Sequence, residues 1–235
     1  DGQFDFPLKK RLCEAVFEGW RDMSDLVSWM GTNESFYEPG TLMTTWIGNH
    51  DIPRAVHFAA RQMGSCTQGS DPWNGWRPQD YTQPQEAAPY ERLGLAFGVL
   101  FTSPGIPLVY YGDEIGLAGG GDPDNRRMMV FDGLNAHQQA LRDRVADLAR
   151  IRAGQVALRR GQRQVLSSSA DTVAYRMTGC GAAEDVTVLV NRADDPRQVL
   201  GLPAGSYTDL LTGAGVTGGA GVELAARSMM ILVMD

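Results

Sequence analysis

The chain has 235 residues, 43% of them hydrophobic and 21% charged, with a formal net charge of −7 and an isoelectric point near 5.0. This is an ordinary globular composition, long enough for one large core or two smaller ones. The acidic balance argues against a nucleic-acid or anionic-membrane partner and suits a neutral substrate, and no apolar run reaches the roughly 18 residues of a membrane span.

The chain opens with "DGQFDFPLKK", which has neither an initiator Met nor a basic-then-apolar leader and reads as the middle of a longer chain. "FPLKKRLCEAVFEGW" predicts a helix. Pro7 suits a first helical position, and Leu8, Leu12, Ala15 and Val16 share one face. "TLMTTWI" is a short β-rich run that stops at Gly48, and Asn49, His50 and Asp51 then stand side by side. A second helix, "PRAVHFAARQM", is expected from Pro53. Residues 64–88 form a long polar loop carrying Trp73, Trp76 and Tyr81, and loops of that length are commonly functional.

"PYERLGLAFGVLFTSPG" returns to helical spacing through Tyr90, Leu93, Phe97 and Leu100, and Ser103-Pro104-Gly105 ends it. "IPLVYYG" is a buried-type strand leading to the glycine-rich turn "LAGGGDPDNRR". A further helix is predicted over 136–153. Asn135 is its N-cap with Gln138 three residues later, and Leu141, Val145, Leu148 and Ile151 form the apolar stripe.

Up to Gly154, strands and helices alternate as in βα units with a parallel sheet. After about residue 155 come short alternating strands between Gly, Pro, Asp and Ser turns, such as "EDVTVLVNRADD" and "GVELAARSMMILVMD". The expectation is an α/β domain over 1–154 and an antiparallel all-β domain, a sandwich, over 155–235. Cys13, Cys66 and Cys180 are scattered and odd in number. They predict neither a disulfide framework nor a zinc site, and leave the compartment open.

Taken in order, "IGNHD", "GIPLVYYGDEIG" and "GGGDPDNRR" resemble the α-amylase family of glycoside hydrolases, over essentially the whole chain. The "DP" followed by Arg is most similar to the neopullulanase and cyclomaltodextrinase branch. The resemblance implies that residues 1–154 are the C-terminal portion of a (β/α)8 barrel, about strands six to eight, and 155–235 the β-sandwich that follows it. "QFDFPL" looks like the end of the sixth strand, "NHD" the end of the seventh and "GIPLVYYGDE" the eighth. Active-site residues of such barrels sit at the carboxyl ends of strands. His50 and Asp51 fall at such an end, and Asp122 and Arg126 on the loop after the next strand.

By the same resemblance, Asp51 is the third catalytic carboxylate, a transition-state stabiliser, and His50 hydrogen-bonds a hydroxyl of the same sugar. Fixed charges aimed at developing charge are worth roughly 2.7–4 kcal/mol each. The competing reading makes Asp51 the N-cap of the helix near Pro53 and His50 structural. Asp122 and Arg126 resemble the pair that grips the sugar one step further from the cut, where charge-assisted bonds suit a polyol. Their alternative is an i,i+4 ion pair in an ordered loop. Trp73, Trp76 and Tyr81 either stack on sugar faces or pin the loop down.

Asp113, Glu114 and Arg54 are expected to support the site through hydrogen bonds or ion pairs, and Asn49 to hold the turn. His57 and His137 receive no function. Asp122, Asp124 and Asn125 lack a calcium loop's closing Glu, and the glycines at 119–121 lack the Lys and Ser/Thr of a phosphate loop. No cofactor and no metal is therefore expected here, and calcium stays an open question for the absent part alone.

Retaining glycosidases also need a nucleophile and an acid/base about 5–5.5 Å apart. The family takes these from strands four and five, and no "FRxDxxxH"-like strand is present. Glu14, Glu18, Glu34 and Glu38 fall in a helix or a Gly/Pro loop. The expectation is one part of a retaining α-glucan-active enzyme that hydrolyses or transfers α-glucosidic bonds of maltodextrins, cyclodextrins or starch. Alone, the chain is expected to be inactive. Its barrel edge would pack against the missing N-terminal barrel portion or another copy of itself. The alternative is a non-catalytic binding or interaction module of the same fold.

Overall fold

The computed structural model describes residues 2–37, 41–67, 81–179, 181 and 184–235, the side chains of residues 33 and 34 excepted. Helix α1 (Phe6–Leu12) starts as its sequence predicts. Asp5 accepts the Leu8 N–H at 2.9 Å, and Pro7 sits in the first turn, where a missing N–H is harmless. The helix then widens into a π turn, Cys13–Glu18, closed by Gly19 at φ 74°. Helix α2 (Met23–Phe36) was not anticipated. Its buried stripe is Met23, Leu26, Val27 and Met30, a four-residue signal diluted by the polar second half.

The two predicted strands are present but short. Strand β1 (Thr44–Thr45) lies parallel between Phe4 and β2 (Ile106–Pro107), in the register Phe4, Thr44, Ile106. The Asp5 N–H donates to Thr44 O at 2.9 Å and the Leu108 N–H to Thr45 O at 2.8 Å. Among the described residues no further strand pairs with the outer side of Phe4 or of β2. Helix α3 (Ala55–Ala59) follows β1, and α4 (Ala87–Phe101) precedes β2. Helices α5 (Ala136–Gly154) and α6 (Val156–Arg160) follow, so the helical part continues past the expected change at 154. The capping box of Asn135 and Gln138 is formed as read, and such a cap is worth about 1 kcal/mol. Trp46, Phe58, Leu93, Phe97 and Leu100 are fully buried in the core between these elements.

Eight strands complete the chain: β3 (Gln162–Ser168), β4 (Thr172–Thr178), β5 (Val186–Asn191), β6 (Arg197–Val199), β7 (Ser206–Asp209), β8 (Gly215–Thr217), β9 (Val222–Leu224) and β10 (Ser228–Met234). Six form an antiparallel sheet in the order β3-β4-β5-β10-β7-β8, and β6 pairs with β9. Period-two alternation sorts the side chains between two cores. Val173, Tyr175, Met177, Val188, Val190 and Ile231 face the helices. Ala174, Leu189 and Leu232 face Val199, Val222 and Leu224 of the two-stranded layer. Both faces of the central strands β4 and β5 are thus covered, while the edge strands β3 and β8 stay partly exposed.

Polar clamps brace the helical part, and one of them, Arg92 to Asp194, joins it to the β part. Arg152 Nη1 donates to the carbonyls of Phe101 and Ser103, each at 2.8 Å, and Nη2 to Gly105 at 2.7 Å, which satisfies carbonyls past the end of α4. Arg92 donates to Ala59 O and to Asp194, both at 3.0 Å.

One expectation is corrected: Cys13 and Cys66 form a disulfide, with Cα atoms 5.7 Å apart across 53 residues of sequence. Spacing rules detect short-range frameworks. This pair arises because the π turn packs against the chain beyond α3, where Lys9 Nζ also donates to Cys66 O at 2.8 Å. Closing a loop of that length stabilises by about 4 kcal/mol in the chain-entropy treatment. Among the described residues, no helix is long and apolar enough to cross a membrane.

Candidate functional site

The loops that leave β1 and β2 meet beyond the strand ends. On the first, the Asn49 side chain accepts the Asp51 N–H at 2.9 Å, the local turn that Asn favours. The turn tips His50 and Asp51 outward, 59% and 62% exposed, with His50 Nε2 at 3.4 Å from Asp51 Oδ1. Helix α3 begins only at Ala55, with Arg54 in the cap position. Asp51 is therefore not a helix cap.

The second loop is bound to the first. The Asn125 amide donates to His50 O at 2.8 Å and to Ile52 O at 2.9 Å. Arg126 donates to the same His50 carbonyl through Nε at 3.3 Å and Nη2 at 3.2 Å. Its Nη2 also donates to Asp122 Oδ2 at 3.1 Å, with Arg126 46% and Asp122 32% exposed. The i,i+4 ion pair given as the alternative reading is present, and it stands on the same hydrogen-bonded unit as His50 and Asp51.

Asp124 accepts from Gly120 N–H at 2.7 Å and from Arg127 Nε and Nη2 at 2.7 and 2.6 Å, which locks the glycine-rich turn. Arg127 Nη1 also donates to Tyr81 O at 3.0 Å. The Tyr81 ring lies edge-on to His57 at 5.1 Å, and a Cβ on Gly120 would stand 2.6 Å from it. Tyr81 packs as a loop pin. Trp73 and Trp76 lie outside the described residues.

Below the rim is a buried layer. Arg54 and Asp113 are 0% and 1% exposed, with Arg54 Nη1 at 3.5 Å from Asp113 Oδ1. Arg54 Nη1 also donates to Tyr111 O. Its guanidinium lies 4.3 and 4.5 Å from the ring centroids of Tyr110 and Tyr111, a cation–π contact on two rings. A Cβ on Gly48 would overlap Asp113 Oδ2, so the strand end must be glycine to lie against this carboxyl. Burial pushes the Asp113 carboxyl up to about 7, against the downward pull of Arg54.

His57 belongs to this layer as well. Its Nε2 accepts the Gly119 N–H at 3.0 Å, and Nδ1 pairs with Gln62 Oε1 at 2.7 Å. Burial lowers its pKa to about 4, which keeps the ring neutral with the proton on Nδ1. Sequence reasoning gave His57 no function and read Asn125 only in the context of calcium. Both are structural clamps across about 60 to 75 residues, which no local spacing reveals. Arg54 and Asp113, each expected to support the site through hydrogen bonds or ion pairs, face one another, a pairing the sequence did not specify.

The rim offers carboxylate acceptors from Asp51 and Asp122 and donors from His50 and Arg126, a set suited to several hydroxyl groups at once.

No family model matches the chain. It is 30% identical over 221 residues to a cyclomaltodextrin glucanotransferase of Geobacillus stearothermophilus, covering 89% of the chain and 26% of that protein. It is 35% identical over 150 residues to neopullulanase 2 of Thermoactinomyces vulgaris, covering 61% of the chain and 25% of that protein. Among solved structures, an Anoxybacillus α-amylase superimposes with a TM-score of 0.79 at 27% identity, covering 100% of this chain and 48% of that one. The fold also matches AmyP solved in complex with maltose, at TM-score 0.78 and 23% identity, over 99% and 49% of the two chains. The chain therefore spans about a quarter of these curated relatives and about half of these solved chains.

Proposed function

The chain belongs to the α-amylase family of glycoside hydrolases, and from that premise we propose that it is part of a retaining α-glucan-active enzyme. Residues 1–154 supply the last strands of a (β/α)8 barrel, and 155–235 a β domain that supports them. The nucleophilic Asp and the acid/base Glu come from outside these 235 residues. Asp51 stabilises the positive charge of an oxocarbenium-like transition state, and His50 holds a hydroxyl of the same glucosyl unit. Asp122 and Arg126 hold the next unit. An exposed ion pair contributes only about 0–1 kcal/mol, so exchanging it for sugar hydroxyls costs little.

The observation that carries this reading is the shared His50 carbonyl. Asn125 and Arg126 both donate to it, which joins the Asp51 turn and the Asp122 loop at one strand end. The barrel assignment draws support from the parallel triplet Phe4, Thr44 and Ile106. Along it, Phe4, Leu42 and Ile106 are 41%, 53% and 50% exposed, an apolar edge for an upstream barrel portion, or another copy of the chain, to cover.

The test is turnover of maltoheptaose, with the product anomer followed by NMR. The protein with its upstream portion should release the α-anomer first or transfer to a sugar acceptor. The 235 residues alone should do neither. Asp122→Asn should raise KM more than it lowers kcat, by about tenfold. Turnover by the isolated chain or release of the β-anomer contradicts the reading. Binding without turnover by the whole protein would make it a non-catalytic module.

A further inference from the structure

A cavity of about 210 Å³ lies between α4, α5 and the start of β10, away from the rim. Its apolar walls include Leu95, Leu141 and Met229, and its polar ones Glu91, His137 and Arg144. His137 stacks on Tyr90 at 5.8 Å and 27°, presenting a flat ring to the space. Gly94 lines the cavity opposite α5, where Arg144 Cγ and Leu141 Cδ1 would lie 3.8 and 3.9 Å from a Cβ.

The charges in this cavity do not balance. Arg227 on its edge is neutralised twice, through Nε to Glu91 at 2.6 Å and Nη1 to Asp194 at 2.8 Å. Arg144 has no ion pair among the described residues, and its Nη1 is buried without an acceptor. A half-buried guanidinium that lines a cavity without such a pair is ready to hold an anion, because its planar fork matches a carboxylate or phosphate. We propose that this cavity binds a small oxyanion carried on a compact organic body, with Arg144 holding the anionic group. His137 and the apolar wall would hold the body. The volume suits a single ring, not an oligosaccharide. This site is independent of the reading of the rim.

The test is calorimetric titration of the full-chain protein with glucose 6-phosphate, inorganic phosphate and glucose. Glucose 6-phosphate should bind saturably, at least about tenfold tighter than glucose. Binding should weaken by about tenfold or more in Arg144→Gln, and in Ala140→Tyr, an exposed helical position whose ring would fill the cavity mouth. Both variants should keep the parent melting temperature. Equal binding of inorganic phosphate, lost in Arg144→Gln, would leave an anion site at Arg144 but overturn the role given to His137 and the apolar wall. Equal binding of glucose, unchanged affinity in Arg144→Gln, or no oxyanion binding would overturn the proposal.

Discussion

The rim and the layer beneath it carry the same kinds of side chain under opposite conditions. His50, Asp51, Asp122 and Arg126 are a third to nearly two-thirds exposed, whereas Arg54 and Asp113 are buried. Water screens the rim charges, so their mutual contacts add little stability and they remain available to a ligand. Beneath them, the ion pair, the two tyrosine rings and Gly48 fit one another, and a change to any of these groups strains the rest. The lesson is a division of labour. The exposed groups are those the fold can lose and, under the proposed function, those that meet substrate, whereas the buried groups are those the fold cannot lose.

That contrast can be broken by experiment. The largest effect should come from Arg54→Met, which leaves Asp113 without its cation and removes the contact with Tyr110 and Tyr111. Losing one partner of a buried pair costs about 3–5 kcal/mol where the other stays ionised, so the fall in the denaturation midpoint is read above pH 7, where Asp113 is charged. A loss below about 1 kcal/mol would mean that the buried layer is no more critical than the rim.

Asp113 gives a sharper test because its carboxyl is raised from 3.8 to about 7 by burial. Between those values the unfolded chain has released a proton that the folded one keeps. This group's contribution is therefore full below about pH 4, falls as pH rises, and levels off above about 7. The decline is on the order of 4 kcal/mol, set by about three units at 1.36 kcal/mol each. Asp113→Asn abolishes it, so melting curves from pH 4 to 8 should show the variant gaining on the parent as pH rises. A gain by the parent would mean that attraction to Arg54 outweighs burial.

A smaller change is expected from Asn125→Ala, which strips the clamps on His50 and Ile52 carbonyls. Two donors to buried or half-buried carbonyls are worth about 1–3 kcal/mol together. In the whole enzyme, kcat should fall with it, because the turn carrying Asp51 loses its brace.

What was legible in the sequence follows from range. The strands from 162 onward are legible as short β-branched apolar runs between Gly, Pro, Asp and Ser turns, of which β5 is buried on both faces, and the Asn135–Gln138 box announces α5 within four residues. The strand-end triplet was visible because an apolar run stops at Gly48 and polar groups follow at once. Pairings over long separations were not. Cys13 meets Cys66 only through the packing of the π turn, and His57 meets Gly119 only once α3 and the glycine-rich turn are placed. Helix α2 was missed because only its first two turns carry an apolar stripe.

The most direct test of the account is Asp51→Asn in the whole enzyme, with kcat on a maltooligosaccharide and melting temperature measured on the same preparation. The account predicts that kcat falls by about 10²–10³ while stability stays within about 0.5 kcal/mol of the parent. Near-parent activity, or an activity loss matched by unfolding, would contradict it.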